Sequence, residues 1–389
     1  MPDAAPTPNA TPTPAPANAS QSPRPSVRRT GRDAASADRS PSFWRQHRRA
    51  LSTAFGALVA IAFFYYLVPR LVGLGPTLKL LRRGDIWWLA LGVLFEAISL
   101  FGGIVLFRGV FGRPKSRIGW QASYRITMAG TAATKIVATA GAGGIALTVW
   151  ALHGYGLPGA EIANGMVCFE VLTYAVYMAA IALAGYGLWL GVFSGRAPVA
   201  LTLVPAVMAT AVILIVLSML LTDGPAERFL KGRAERSRGR AAGWWRRAAA
   251  LPRSIRAGLM AAIDMIKRRD RSLLGALADW GFDIAVLWVS FRAFGPSPPG
   301  AVIVMSYYLG TLGNALPLPG GIGGVEAGMI GAFVAFGVSA RLAVLAVLAY
   351  RTISYWLPTI PGAVAYWRLV RQFKESPPPR RAPEVANHP

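Results

Sequence analysis

Cysteine, histidine and charge are all scarce in this chain of 389 residues, and each shortage removes a class of function. Cys168 has no second cysteine to pair with, so a disulfide and a cysteine-built metal site are both excluded. The three histidines, His47, His153 and His388, are scattered through tail and loop, too far apart in sequence to suggest a zinc site. Charged residues make up 15% of the chain against 54% hydrophobic, and several apolar runs reach the ~20 residues of helix that cross a bilayer. That composition is one of a multi-pass α-helical membrane protein. No nucleophile–base pair, metal cluster or nucleotide motif stands out, so neither an enzyme activity nor a cofactor is expected.

Positive charge is present in excess, with a formal net charge of +24. Nearly all of it falls outside the apolar runs: in residues 1–50, in Arg108 to Arg117, in 223–272, and from Arg368 onward. Such a distribution is the positive-inside pattern of cytoplasmic segments, whose natural counter-charge is the anionic headgroups of membrane lipids. A nucleic-acid partner is not expected, because no basic stretch is interleaved with stacking aromatics in a recognisable module.

Residues 1–50 are rich in Ala, Pro, Thr and Ser and read as a disordered, basic, cytoplasmic tail. Residues 369–389 read as a second disordered tail. The first apolar run starts only at Leu51 and is too long for a signal-peptide core, and Arg28-Arg29 lies too far upstream of it for a twin-arginine signal. A first membrane half over 51–222 holds spans at 51–68, 86–111, 161–193 and 198–221, with a short interfacial helix at 77–85. A basic cytoplasmic loop at 223–271 leads to a second half, 272–368, with spans at 272–294 and 341–367.

Two segments remain, and orientation parity decides the first. If 120–140 crossed fully, the fourteen basic residues of 223–272 would lie outside. A cytoplasmic loop therefore requires 120–152 to enter and leave on the same side, as a hairpin with its tip at Gly141-Ala142-Gly143-Gly144. The segment 301–338 reads as a second hairpin, entering from outside. The expected architecture is an all-α polytopic bundle of about six spanning helices plus two opposed re-entrant hairpins. Glycine-tipped half-helices at corresponding places point to an inverted repeat with its site where the tips meet, an arrangement typical of transporters. Both termini are expected in the cytoplasm, and the Gly/Arg/Ala/Pro-rich composition suits the plasma membrane of a high-GC bacterium.

The second hairpin breaks at Leu316-Pro-Leu-Pro-Gly-Gly-Ile-Gly-Gly-Val-Glu326. Backbone that leaves its hydrogen bonds unmade at membrane depth survives only where protein buries it or a cavity is lined by it. The break, with Asn314 just before it, thus makes Pro319, Gly320, Gly321, Gly323 and Gly324 candidate binding residues; open amides from Gly323 to Val325 would face an anionic group. A tight helix–helix turn would look the same. Ionisable residues within the spans and hairpins are the other candidates: Asp279 and Asp283 one turn apart on one helix face, Arg351 as their counter-charge, Glu326, Glu170, Glu96, and Arg125 and Lys135 on the first hairpin. The alternative for each is a structural ion pair that holds helices in register.

Several of these residues carry a family pattern. Ala278-Asp-Trp-Gly-Phe-Asp283, Ala293-Phe-Gly295, Leu316 to Glu326, Phe336-Gly-Val338 and Tyr350-Arg351 through Leu357-Pro358 and Pro361-Gly362 resemble, in order and spacing, the C-terminal half of the lysylphosphatidylglycerol synthase transmembrane-region family, also called flippase-like membrane proteins. The resemblance is specific over about 90 residues and looser over 51–270. It implies a domain that moves aminoacylated phospholipid across the bilayer, and the chain looks like the stand-alone members without a soluble aminoacyltransferase domain. Family members usually show a proline, an arginine and a Gly-acidic pair at the first hairpin tip. Here Ala138 to Gly144 keeps glycine bends and loses the charge, so headgroup selection is expected to differ, with Arg125 or Lys135 supplying the missing cation. The resulting expectation is a translocase for a phospholipid or lipid-linked headgroup. The alternative is a non-transporting scaffold that gathers envelope-lipid or glycan enzymes through 223–272, with a second copy of the chain as a further partner.

Overall fold

A computed structural model describes residues 84–112, 118–136, 142–195, 198–221, 240–315 and 321–375. The expected span 51–68, nearly all of the interfacial helix 77–85, both tails, the first hairpin's 138–141, Pro319, Gly320 and most of the basic loop lie outside the described residues. All described residues fall in one compact unit. They form ten α-helices and, among themselves, no strand: α1 Ile86–Phe111, α2 Trp120–Ile136, α3 Ala142–Gly154, α4 Gly159–Trp189, α5 Val199–Leu221, α6 Arg240–Lys267, α7 Leu273–Phe294, α8 Gly300–Thr311, α9 Gly324–Ala335 and α10 Ala340–Glu375, with a 3-10 turn at Leu312–Ala315. Helices α1, α4, α5, α7 and α10 are long and apolar enough to span a membrane. On α5, Val204, Met208, Leu214 and Ile215 face outward, as they would toward lipid. The protein is an all-α polytopic membrane bundle.

Local chemistry sets the element ends. Asp85 opens α1 by accepting a hydrogen bond from the Trp87 amide at 2.9 Å, and Arg108 lies in the last turn, where its charge suits the helix dipole. Helices α1 and α7 run antiparallel: the Asp85 amide donates to Ala293 O at 2.9 Å at one end, and Gly109 meets Ser272 at the other. Between these ends Gly102 packs on the α7 backbone so closely that a Cβ there would lie 2.7 Å from Gly275 O. In lipid, where hydrophobic drive between helices is weak, small residues permit this approach.

Helices α2 and α3 pair through Gly130 and Gly144, and the end of the hairpin away from its tip meets α10 where Gly154 lies against Phe373. Helices α8 and α9 pair through Gly310 against Met329 and Gly313 against Gly324 and Val325; Val302, near the start of α8, lies by Gly195. The Gly195–Val302 contact is at the α4 end opposite the Gly165–Phe111 contact, so the two hairpins enter from opposite ends of the bundle. Two features differ from the sequence expectation. The basic loop contains a 28-residue helix, α6, whose Gly258, Leu259 and Ala262 are buried against α4. Helix α10 continues through Pro358 and Pro361 to Glu375 rather than ending at Trp367.

Two apolar clusters fill the bundle. One gathers Leu89, Val286, Phe291, Tyr307, Phe333 and Ile353. The other gathers Leu106, Ile126, Ile162, Ala276 and Leu369. On α1, α7 and α10 the changeover between clusters falls at Glu96, Asp279 and Ser354.

Candidate functional site

That changeover is where polar groups collect. Glu96, near the middle of α1, is 3% exposed. Its carboxyl lies against that of Asp283 on α7, with Asp279 one turn earlier on the same helix. Asp283 Oδ2 accepts hydrogen bonds from Tyr307 on α8 at 2.5 Å and from Tyr350 on α10 at 3.1 Å. The Asp279 carboxyl packs by Gly103, and Ser99 Oγ donates to the Asp279 carbonyl at 2.6 Å. Tyr177, Trp280, Tyr307 and Tyr308 stack edge to face beside this cluster, and Trp280 Nε1 donates to Thr173 O at 3.0 Å.

Lys135, in the last turn of α2, brings the cation. Its charge acts on Glu96, Asp279 and Asp283, and its Nζ donates to the carbonyl of Ser354. The reason that carbonyl is open lies four residues on. Pro358 has no N–H, so the helix bond that would fill Ser354 O is missing, and an ammonium takes its place. Tyr355 completes the seat: its hydroxyl donates to Lys135 O at 2.8 Å and its ring lies 5.9 Å from Nζ.

The second hairpin reaches the same stretch of α10. Gly321 and Gly323 take φ of 63° and 87°, a region open to glycine at little steric cost. Gly321 also packs against the Asn314 side chain. Glu326 then reaches back, its Oε2 accepting from the Gly323 amide at 2.7 Å and its Oε1 from Arg351 Nε at 2.8 Å. The Arg351 guanidinium lies 5.4 Å from the ring of Tyr355, the same ring that Lys135 approaches. The ends of both hairpins thus converge on one turn of α10.

This geometry differs from the sequence reading in three respects. The Gly323 amide is not open, because a carboxylate three residues into the helix caps it. Arg351 pairs with Glu326 and not with the Asp279–Asp283 pair, on which the charge of Lys135 acts instead. Arg125 does not reach the cluster; its Nη1 donates to Gln372 Oε1 at 2.8 Å. Glu170 on α4 instead lines a cavity of about 250 Å³ with Thr127, Thr131, Thr134, Thr148 and Tyr174. Gly324 serves the close contact with Gly313. Glu96, placed centrally in its run by sequence, acquires its partner only in the fold. Nothing in the sequence marks Tyr307, Ser354 or Tyr355 as site residues, and Tyr350 stands out only within the family pattern, although Pro358 inside an apolar run is a usable sign of an unfilled carbonyl four residues earlier.

Comparison with known proteins supplies the family. The family model described as the lysylphosphatidylglycerol synthase TM region matches residues 50–362. Two curated relatives, both UPF0104 membrane proteins of Methanothermobacter thermautotrophicus, are 36% identical over 91 residues and 37% identical over 90. Each match covers 23% of this chain and 26% or 27% of the relative, so the matched stretch spans about a quarter of the relatives' length. With most of its length matched, the chain belongs to the lysylphosphatidylglycerol synthase TM-region family.

Proposed function

We propose that this chain, as a member of the lysylphosphatidylglycerol synthase TM-region family, moves the polar headgroup of a phospholipid or lipid-linked molecule across the plasma membrane. The observation that carries the reading is the convergence of Lys135 and Glu326, from opposed hairpins, on the Arg351–Tyr355 turn of α10. Charges in a membrane bundle are costly and are kept where they serve a path or a substrate. Only the headgroup needs that path, since the acyl or isoprenoid tail stays in the bilayer. An anionic headgroup would displace Glu326 from Arg351 and take its bonds to the guanidinium and to the Gly323 amide, exchanging one oxyanion for another. Both termini and the segment 223–271 face the cytoplasm in this reading, and the chain needs no catalytic residue.

Purified protein in vesicles carrying headgroup-labelled fluorescent phosphatidylglycerol tests it. Dithionite added outside should bleach the inner-leaflet label in protein-containing vesicles far faster than in protein-free ones, and Arg351→Ala should abolish the difference. Bleaching at the protein-free rate by a well-folded sample, repeated with the lipid that copurifies by mass spectrometry, would remove the translocase reading and favour the scaffold.

A further inference from the structure

The carboxyls of Glu96 and Asp283 lie in side-chain hydrogen-bonding contact, yet an ionised carboxylate offers only acceptors. Glu96 Oε2 and Asp283 Oδ1 are each buried without a donor, while the other Asp283 oxygen is filled by two tyrosine hydroxyls. Two carboxylates held this way would repel each other where little water can screen them and would leave two acceptors unmet. A single proton between them removes both faults.

The charge inventory agrees. The pair is faced by Lys135 from α2, Asp279 from α7, Tyr307 and Tyr308 from α8, and Tyr350 from α10, while Arg351 of α10 acts on Lys135 and Tyr350. Arg351 is engaged with Glu326. Among the described residues, Lys135 is then the ammonium that stands against the three carboxyls Glu96, Asp279 and Asp283. One positive charge against three negative ones leaves an excess of two in an enclosed site, and a proton on the pair halves it. Among the described residues, no three His, Cys, Asp or Glu side chains are grouped to hold a metal ion, and tyrosine hydroxyls stand beside the pair.

We propose that the Glu96–Asp283 pair is a proton-binding site, and that its loading loosens the hold of the cluster on Lys135. A proton taken from water forms an O–H bond on one carboxyl and a hydrogen bond to the other, leaving one negative charge where two would be. Lys135, close to the first hairpin's tip, is then held less strongly against α7 and α10. Loss of the proton to water draws it back. The proton site stands on its own geometry; its coupling to headgroup passage rests on the translocase reading.

Infrared spectra of the full-length protein in detergent, taken in H2O and D2O at neutral pH, should show the C=O stretch of a protonated carboxyl. Glu96→Gln and Asp283→Asn each introduce an amide donor in place of the proton, so each should lose that component of the band, while Glu375→Gln on the surface keeps it. In vesicles, lipid movement should vary with pH in the wild type and lose that variation in both variants. No protonated-carboxyl band in the wild type overturns the proposal, whatever the variants do, as does a band unchanged in both. A sodium-dependent rise in melting temperature that is lost in both variants would likewise replace the proton with a metal cation. Loss of the band in a protein that moves no lipid would keep the proton site and remove the translocase; lipid movement without the band would do the reverse.

Discussion

Glu326 holds Arg351 with one oxygen and the Gly323 amide with the other, so two substitutions have opposite consequences. Glu326→Gln keeps an acceptor for the amide and removes the charge that competes for the guanidinium. Binding of short-chain phosphatidylglycerol in detergent should tighten. Arg351→Lys offers a compact point charge in place of a planar fork and should weaken the same binding by about tenfold. Equal affinities in wild type and both variants would detach the pair from any anion site. Arg351→Ala should cost about 3 kcal/mol of stability, because Glu326 is left in a largely buried position with its partner gone. The glycines of the break separate in the same way. Gly321→Val places a branched side chain against Asn314 and Val325 at positive φ, whereas Gly323→Ala meets no atom within 4 Å and bears only a backbone cost of roughly 1–2 kcal/mol. Thermal unfolding should therefore fall further for Gly321→Val. The charged members of this site were legible because Asp279, Asp283, Glu326 and Arg351 interrupt apolar runs. Their pairing was not, since it depends on which turn of α10 each hairpin reaches.

At the scale of elements, the two hairpins are fastened differently. The second is a glycine-to-glycine pair capped by its own glutamate. The first is tied to α10 by Lys135 on Ser354 O, and the tie exists because Pro358 leaves that carbonyl open. Pro358→Ala restores the N–H that α10 lacks, gives Ser354 O its helical bond and weakens the claim of Lys135 on it. The lysine should then acylate faster with a small amine-directed reagent, read as modified peptide by mass spectrometry. An unchanged rate would mean that the carboxyl cluster alone holds it. Apolar run length revealed α1, α4, α5, α7 and α10. It could not reveal α6, whose Ala- and Arg-rich sequence has no long run; its contacts follow a helical spacing through Gly258, Leu259, Ala262 and Met265. Nor could it show that α10 passes two prolines, because the compensating partners, Lys135 above all, lie more than two hundred residues away.

Across the whole molecule, the contacts between helix ends sort into two sets. Asp85 with Ala293, Gly195 with Val302 and Gly295 with Leu342 mark one end of the bundle. Gly109 with Ser272, Gly154 with Phe373 and Gly165 with Phe111 mark the other. The sequence places its basic segments, Arg108 to Arg117, 223–272 and the stretch from Arg368, beside the second set. By the positive-inside rule that end is expected to face the cytoplasm, with α2 and α3 returning to it without crossing, and labelling tests this orientation. In a Cys168→Ala background, Ser297→Cys should react with a membrane-impermeant maleimide on intact cells, and Ser237→Cys only after permeabilisation. Labelling of Ser237→Cys from outside would turn the bundle over, move the mouth of the first hairpin to the outer face, and require an outer-leaflet origin for any headgroup that enters beside Lys135.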